Sequence, residues 1–361
     1  MHGYFHWPEN TNKQRNCKLR SSKKREEALG DNDLSTLIAM GNLAVTYSRL
    51  GEFKKAQELQ IVVLEKRKQF LGDNHSETLT AMANLAYTYR NLGEFKKTQE
   101  LDIVVLEKQK QFLGDNHPHT LRAMGNLACT YRNLGEFKKA QELEIVVLEK
   151  RKQSLGDNHP DTVTAMGHLA STYSNLGEFK KAQELKIVVL EKQKQFLGDN
   201  HPHTLTAMNN LAEAYRELGE FKKAQELNIV VLEKRKQFLG DNHPDTLISM
   251  DNLALAYRGV GEFKKAQELQ IVVFEKWKQF FGDNHPDTLI AMANLAHTYW
   301  NLRDFTKAEE LQLLVLERRR QILGDNHPET LRVAKHLSIT YQSQDKLQEA
   351  KELRRLWIAC F

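Results

Sequence analysis

The stretch between Ser76 and Phe112 has the spacing of apolar and polar residues that is typical of two consecutive α-helices. From Ser76 to Asn91, apolar residues recur three and four positions apart, which places them on one helix face. Gly93 interrupts the pattern, and a second periodic stretch begins at Glu94. The predicted core positions are Leu79, Met82, Leu85, Ala86, Tyr89 and Leu92 in the first helix, and Phe95, Thr98, Leu101, Val105 and Phe112 in the second.

The residues after this helical hairpin predict how the chain turns into the next one. Gly114 is expected to take the left-handed conformation that ends many helices. Asp115, Asn116 and His117 form the predicted turn, and Pro118 falls in the first turn of the next helix, where its missing N–H costs nothing.

The same hairpin pattern recurs along most of the chain. Copies of the string Leu-Gly-Asp-Asn-His, some of them edited, mark repeats that start near residues 29, 71, 113, 155, 197, 239, 281 and 323. A fixed period in this range indicates an array of stacked units, because one hairpin cannot bury both of its apolar stripes alone. The predicted fold class is therefore all-α, with residues 29–361 as the repeat array.

Residues 1–28 are predicted to be a basic N-terminal segment and a degenerate remnant of a repeat. The run Lys24–Gly30 aligns with Lys66–Gly72, the end of a second helix. A nuclear-localisation or nucleic-acid patch is the alternative interpretation of its lysines and arginines. The remnant suggests either an array that has lost its N-terminal neighbour or a chain that is part of a longer protein.

Composition excludes several functional classes. The net charge of +5 over 361 residues is too small for a dedicated nucleic-acid binder. The three cysteines are scattered, which fits a reducing compartment, and no apolar run approaches the length of a membrane span. We therefore expect a cytoplasmic protein without a membrane partner.

The repeat carries a family signature. In the copy that begins at Leu71, it reads Asn84-Leu85-Ala86-x-x-Tyr89-x-x-x-Gly93-x-Phe95-x-x-Thr98. This pattern resembles the tetratricopeptide repeat, and the 42-residue length resembles the kinesin light chain type. It is also similar to the repeat tails of fungal nucleotide-binding immune-type receptors.

The resemblance implies a right-handed α-solenoid of stacked helix-turn-helix repeats. The first helix of each repeat would line its concave surface, where a partner or cargo protein binds. It also implies kinesin heavy chain or a cargo adaptor as a partner.

The copies differ most on one face of the first helix. The second helix is nearly constant, whereas the positions two before the Leu of Asn-Leu-Ala, two after it and one after the Tyr vary between copies. These positions lie three and four residues apart and share a face. We interpret this face as a variable peptide-binding groove on a constant scaffold; simple drift of exposed positions is the alternative.

Several residues of the groove face are candidate ligand contacts. An amide that precedes the Leu could bond the backbone of an extended peptide, and these residues are Asn42, Asn84, Asn126, Asn210, Asn252 and Asn294. The alternative for them is a structural hydrogen bond to the neighbouring repeat. The further candidates are Arg90, Arg132, Arg216 and Arg258, with Tyr87 and Trp300.

Arginine forms bidentate bonds to carboxylates, so an acidic or mixed linear peptide with a hydrophobic anchor is the expected ligand. An RNA-binding array is less favoured, because Asp251 and Glu213 share the face. The other alternative is the ligand-recognition tail of an immune-type receptor.

Catalysis and metal binding are not expected. Equivalent histidines of Asp-Asn-His lie roughly 10 Å apart in stacked helices, too far to share one ion. No catalytic or phosphate-loop motif occurs in the sequence. We therefore predict a non-enzymatic interaction scaffold without cofactor or metal.

Overall fold

The structure, a computed structural model, describes residues 16–21, 24, 27, 28, 30 and 33–358. Most of the predicted N-terminal remnant lies outside these residues, so its structure is not described. Between Leu34 and Ile358 the described chain contains sixteen long helices and no strand. The all-α class predicted from the hydrophobic pattern is confirmed.

The helices alternate between two lengths. The first helices of the repeats are α1 (Leu34–Arg49), α3 (Ser76–Asn91), α5 (Pro118–Asn133), α7 (Pro160–Asn175), α9 (Pro202–Glu217), α11 (Pro244–Val260), α13 (Pro286–Asn301) and α15 (Pro328–Ser343). The second helices are α2 (Phe53–Leu71), α4 (Phe95–Leu113), α6 (Phe137–Leu155), α8 (Phe179–Leu197), α10 (Phe221–Leu239), α12 (Phe263–Phe281), α14 (Phe305–Leu323) and α16 (Leu347–Ile358). The predicted limits of the first helix, Ser76 and Asn91, coincide with those of α3.

The chain forms two compact units, residues 1–143 and 144–361. In the first unit, each helix from α1 to α4 packs against the one that follows it, so that the succession ends at α5, and α1 also contacts α3. In the second unit the same succession runs from α7 to α16, and α9 also contacts α11. Contacts between consecutive helices are those expected of stacked helix-turn-helix repeats.

The apolar stripes form the core of each unit. Leu79, Met82 and Leu85 are buried, as the pattern predicts, and each buried side chain of this size stabilises the fold by about 2 kcal/mol. The prediction was wrong for Phe112, which is 53% exposed. It lies in the last turn of α4, which has 19 residues and is longer than the 16-residue helix α3.

Histidine caps explain the Asp-Asn-His string. The Nδ1 atom of each of these histidines accepts a hydrogen bond from the backbone N–H two residues later, at 3.1 to 3.3 Å. The capping residues are His75, His117, His159, His201, His243, His285 and His327. In the described ranges no three His, Cys, Asp or Glu side chains are grouped as metal ligands would be.

Gly114 ends α4 in a way that differs from the prediction. Its φ of 83° is positive, as expected, but its ψ of 167° lies outside the left-handed helical region. Only glycine adopts this combination readily, because a Cβ would collide with the backbone. The glycine is therefore required, in an extended rather than a helical conformation.

Arginines, most of them buried, join the second helix of some repeats to the next first helix. Arg235 donates from Nη1 to the carbonyl of Asp245, ten residues later, at 2.8 Å. Burial lowers the pKa of Arg235. The same backbone contact is made by Arg67, Arg151 and Arg319. These bonds fix the angle at which a new hairpin leaves the previous one.

None of the helices in the described ranges carries an apolar stretch long enough to traverse a lipid bilayer.

Candidate functional site

The first unit contains a cavity between α3, α4 and α5, of about 370 Å³, here named the α3–α5 cavity. Four of the predicted site residues line it: Asn84, Tyr87, Arg90 and Asn126. Asn84 and Asn126 hold equivalent positions in successive repeats. The fold therefore brings together side chains that lie 42 residues apart in the sequence.

The cavity combines free amides with an apolar wall. Within the described residues, the side-chain amides of Asn84 and Asn126 make no hydrogen bond to the protein. Tyr87 is 53% exposed and provides the main apolar surface, and the buried residues Leu79 and Val105 also belong to the lining. An extended peptide would find both backbone-binding amides and an apolar surface here.

Arg90 is bound to the protein itself. Its Nη2 atom lies 3.1 Å from Asp102 Oδ2 and 3.2 Å from Thr130 Oγ1, and the Thr130 hydroxyl donates to Asp102 at 2.6 Å. Burial raises the pKa of Asp102, and the Thr130 and Arg90 contacts oppose that rise. The charge of Arg90 is thus largely offset, so it adds little net positive potential to the cavity.

Arg122 is the exposed cation of the same cavity. Its Nη2 atom lies 2.9 Å from His119 Nδ1 on the same helix. The pKa of His119 is lowered, first by burial and then by the charge of Arg122. His119 therefore stays neutral near pH 7 and leaves the charge of Arg122 available.

The second unit contains a smaller cavity between α9, α10 and α11, of about 180 Å³, here named the α9–α11 cavity. The predicted site residues Asn210, Arg216 and Asn252 line it, together with Asn209 and Asn228. Its two charged residues face each other: Arg216 Nη2 lies 4.0 Å from Glu213 Oε1. Both are partly exposed, so this pair contributes at most tenths of a kcal/mol to stability.

The remaining predicted residues do not line either cavity. Asn42 is exposed on α1, and Arg132 is half-buried near the end of α5. Asn294 donates from Nδ2 to Asp251 at 2.6 Å, which matches the structural alternative for this amide.

The two other predicted residues outside the cavities, Arg258 and Trp300, also interact with groups of the protein itself. Burial lowers the pKa of Arg258, and the carboxylate of Asp251 opposes that shift. Trp300 donates from Nε1 to Ser343 Oγ at 3.3 Å.

One set of residues was missed by the sequence analysis. The second helix has a buried polar residue that differs between repeats, and in several repeats this residue is hydrogen-bonded to the first helices. These residues are Gln60, Asp102, Glu144, Lys186, Asn228, Gln270 and Gln312. The signal was present, because this position varies inside the otherwise constant run Gln-Glu-Leu-x-Ile-Val-Val.

In two repeats the missed residue is bonded to the residue twelve positions earlier. Arg90 faces Asp102, whereas Ser174 faces Lys186, whose Nζ lies 3.5 Å from Ser174 Oγ. In the repeat of Arg90 a cation on the first helix has an acidic partner on the second, and in the repeat of Ser174 a basic residue on the second helix faces a small hydroxyl. Arg216 and Arg258 depart from this pattern, because the residues twelve positions later, Asn228 and Gln270, are neutral.

Comparisons with known proteins agree with this architecture. Two family models described as tetratricopeptide repeat match residues 37–102, 77–152 and 291–354, and residues 162–203, 204–245 and 246–287. Together these matches span most of the chain. A search of curated protein sequences finds no match.

Solved structures include similar proteins. One is the crystal structure of nearly identical TPR-like repeats from a protein described as a kinesin light chain of Podosopora anserina. It is 30% identical, covers 56% of this chain and 95% of that one, and has a TM-score of 0.49.

Two more distant structures share the fold alone. The apo quorum sensor NprR from B. thuringiensis is 14% identical over 98% of this chain and 99% of its own, with a TM-score of 0.60. A Rap protein complexed with Competence and Sporulation Factor is 13% identical over 96% and 97%, with a TM-score of 0.57. With the family matches along its length and the succession of helix pairs, the chain belongs to the tetratricopeptide repeat family.

Proposed function

We propose that this protein is a non-enzymatic scaffold that binds an extended peptide segment of a partner protein. The observation that carries the proposal is the α3–α5 cavity, which holds Asn84 and Asn126 from successive repeats beside the exposed ring of Tyr87. An Asn amide both donates and accepts, so two of them in register can bond the backbone of one extended chain.

The proposed peptide carries a hydrophobic anchor and an acidic residue. The exposed ring of Tyr87 would contact the apolar side chain, and Arg122 would pair with the carboxylate. Arg90 contributes less, because Asp102 already offsets its charge. The preference for acid is therefore proposed to depend on one exposed arginine in this cavity.

The similarity to kinesin light chain repeats suggests kinesin heavy chain or a cargo adaptor as the partner. A cytoplasmic location belongs to the same proposal, because Cys17 and Cys129 are free thiols, which are typical of reducing compartments.

The test is selection from a displayed library of random linear peptides, followed by affinity measurement on the enriched sequences. Asn84→Ala/Asn126→Ala should weaken binding of those peptides by about tenfold or more, since it removes two hydrogen-bonding amides. The matched control, Lys96→Ala/Lys138→Ala, changes exposed side chains of α4 and α6 and should leave affinity unchanged. Equal affinity for the asparagine variant and the control would reject the cavity as the binding site.

A second measurement tests the acidic residue. Arg122→Gln should reduce both the enrichment of Asp and Glu and the salt dependence of binding, because it removes the exposed cation. If acidic peptides are enriched equally without Arg122, the proposed ion pair is wrong, although peptide binding itself would stand.

A further inference from the structure

Two buried acceptors in the α9–α11 cavity lack hydrogen-bond donors. Asn209 is 8% exposed and Asn228 is 4% exposed, and the Oδ1 atom of each has no partner. Both residues line the cavity. A buried oxygen without a donor costs about 1 to 3 kcal/mol, so two that border one cavity require an explanation.

The orientation of the Asn228 amide is fixed by its surroundings. Its Nδ2 donates to the backbone carbonyl of Asn252 at 3.1 Å. Turning the amide over would place its oxygen against that carbonyl oxygen, which is repulsive. The unpartnered atom of Asn228 is therefore an acceptor, and only a donor can satisfy it.

The next repeat shows the same place in a closed state. There Gln270 stands where Asn228 stands, and its Nε2 donates to Asp251 at 3.3 Å. The Oε1 of Gln270 in turn accepts from the hydroxyl of Thr298 at 2.5 Å. Asn294 supplies a further donor to Asp251. The amide of Gln270 and the carboxylate of Asp251 are thus hydrogen-bonded within the protein.

Two sequence differences open the α9–α11 cavity. The side chain of Asn228 is one methylene shorter than that of Gln270. Its Nδ2 donates to the backbone carbonyl of Asn252 and not to the side chain of Asn209. Ala256 stands where the next repeat has Thr298, so the hydroxyl donor is missing. The protein thus lacks two donors here that the next repeat provides for itself.

We propose that the α9–α11 cavity is a specificity subsite for a side-chain carboxamide, from an Asn or Gln of the bound peptide. The NH2 group of that carboxamide has two N–H donors, one for Asn209 Oδ1 and one for Asn228 Oδ1. Its carbonyl accepts from the guanidinium of Arg216 on the same cavity wall. This subsite rests on the proposed function, since it assumes that a peptide binds to the second unit.

The charges of the cavity favour a neutral group over a cation. Glu213 is its acidic residue, and that carboxylate lies 3.5 Å from Lys186 and 4.0 Å from Arg216. A lysine or arginine side chain would meet the positive charge of Arg216 and lose its hydration without a carboxylate of its own. A carboxamide brings the same donors without that cost.

The experiment compares peptides selected from the random library by three proteins. The wild type should enrich Asn or Gln at one peptide position. Asn209→Ala removes one acceptor, and Ala is already present at this position in the repeats of Ala83 and Ala293, so folding is preserved. Asn228→Gln/Ala256→Thr installs the closed arrangement of the next repeat. Both variants should lower the Asn and Gln enrichment by about fivefold or more, which corresponds to about 1 kcal/mol of binding free energy.

The control variant Lys222→Gln/Lys264→Thr introduces the same two residue types at exposed positions and should keep the wild-type preference. Enrichment of Lys or Arg at that position, or no difference between the wild type and the closed variant, would overturn the subsite while leaving peptide binding intact.

A fragment titration separates failure of the subsite from failure of the proposed function. Propionamide, the side chain of Gln, is added to protein with ¹⁵N-labelled asparagines up to about 100 mM. Saturable shifts of side-chain amide signals are expected, and they should be absent from Asn209→Ala and from the closed variant. Butylammonium and acetate should not cause them. If propionamide gives no such shift, the acceptors are satisfied by water and the subsite is rejected, whatever the library shows.

Discussion

Removal of Arg90 tests whether the buried ion pair in the first unit is required for stability. Asp102 is 3% exposed, and its carboxylate has two partners, the guanidinium of Arg90 and the hydroxyl of Thr130. In Arg90→Met the apolar part of the side chain is retained, and the charge of Asp102 loses its counterion. Thr130 remains as a neutral donor.

The expected loss is about 3 kcal/mol at pH 7. Breaking a buried ion pair costs about 3 to 5 kcal/mol, because the remaining charge is left uncompensated. The side chain of Arg90 is 16% exposed and Thr130 still donates, so the value should fall at the lower end. Repeats contact only their neighbours, so the loss should be confined to the first unit.

The loss should shrink as the pH falls. Burial already raises the pKa of Asp102 in the folded protein, and Arg90 opposes that rise, so its removal raises the pKa further. A carboxyl with a raised pKa binds its proton more tightly when folded than when unfolded. The variant should therefore recover stability relative to the wild type between its raised pKa and the unfolded value of about 4.

The assay is urea unfolding followed by far-UV circular dichroism at pH 7 and pH 5, with hydrogen exchange measured on residues 76–133. The double variant Arg90→Met/Asp102→Asn removes the charge and keeps an acceptor for Thr130. It should lose about 1 kcal/mol or less. If the double variant is as unstable as Arg90→Met at both pH values, the loss comes from packing and the electrostatic reasoning is refuted.

Two further predictions concern the second unit. Burial lowers the pKa of His243, so stability from this cap is lost as the pH falls through the unfolded value of about 6.5. His243→Asn keeps an acceptor for the N–H of Asp245 and should reduce the change of the urea midpoint between pH 5 and pH 7.5. If the midpoint changes with pH as much as in the wild type, this histidine is not the cause. Arg235→Met loses bonds to the Asp245 carbonyl and the Ser249 hydroxyl and should cost about 2 to 3 kcal/mol by urea unfolding. Lys236→Met, at an exposed position, should change stability by under about 0.5 kcal/mol, and a similar loss in both would disprove the buried contact.

The local structure could be predicted from the sequence with good accuracy. The limits of α3 follow from the spacing of Leu79, Met82 and Leu85 and from the break at Gly93. These signals are local, since apolar periodicity and turn residues act within a few positions of where they stand. The same reasoning failed at Phe112, because whether the last turn of a helix is covered depends on a neighbour of different length.

The candidate site was only partly predictable. The sequence places Asn84, Asn126 and Asn294 at equivalent positions, yet in the described chain Asn294 is bound to Asp251 whereas Asn84 and Asn126 line an open cavity. The difference arises in the preceding repeat, where Asp251 accepts the bond from Asn294 but Gly41 and Ala83 stand at the equivalent positions for Asn84 and Asn126.

What the sequence by itself determined is therefore the repeat, its two helices and the turns that join them, because each depends on residues close together in the chain. Only the tertiary structure decided which polar groups are free to bind a partner. The donor that satisfies Asp102 comes from Thr130 of the next repeat, and the donor missing at Asn228 is missing because of Ala256. Hydrogen bonds and burial depend on contacts between repeats, and a residue's own repeat does not contain that information.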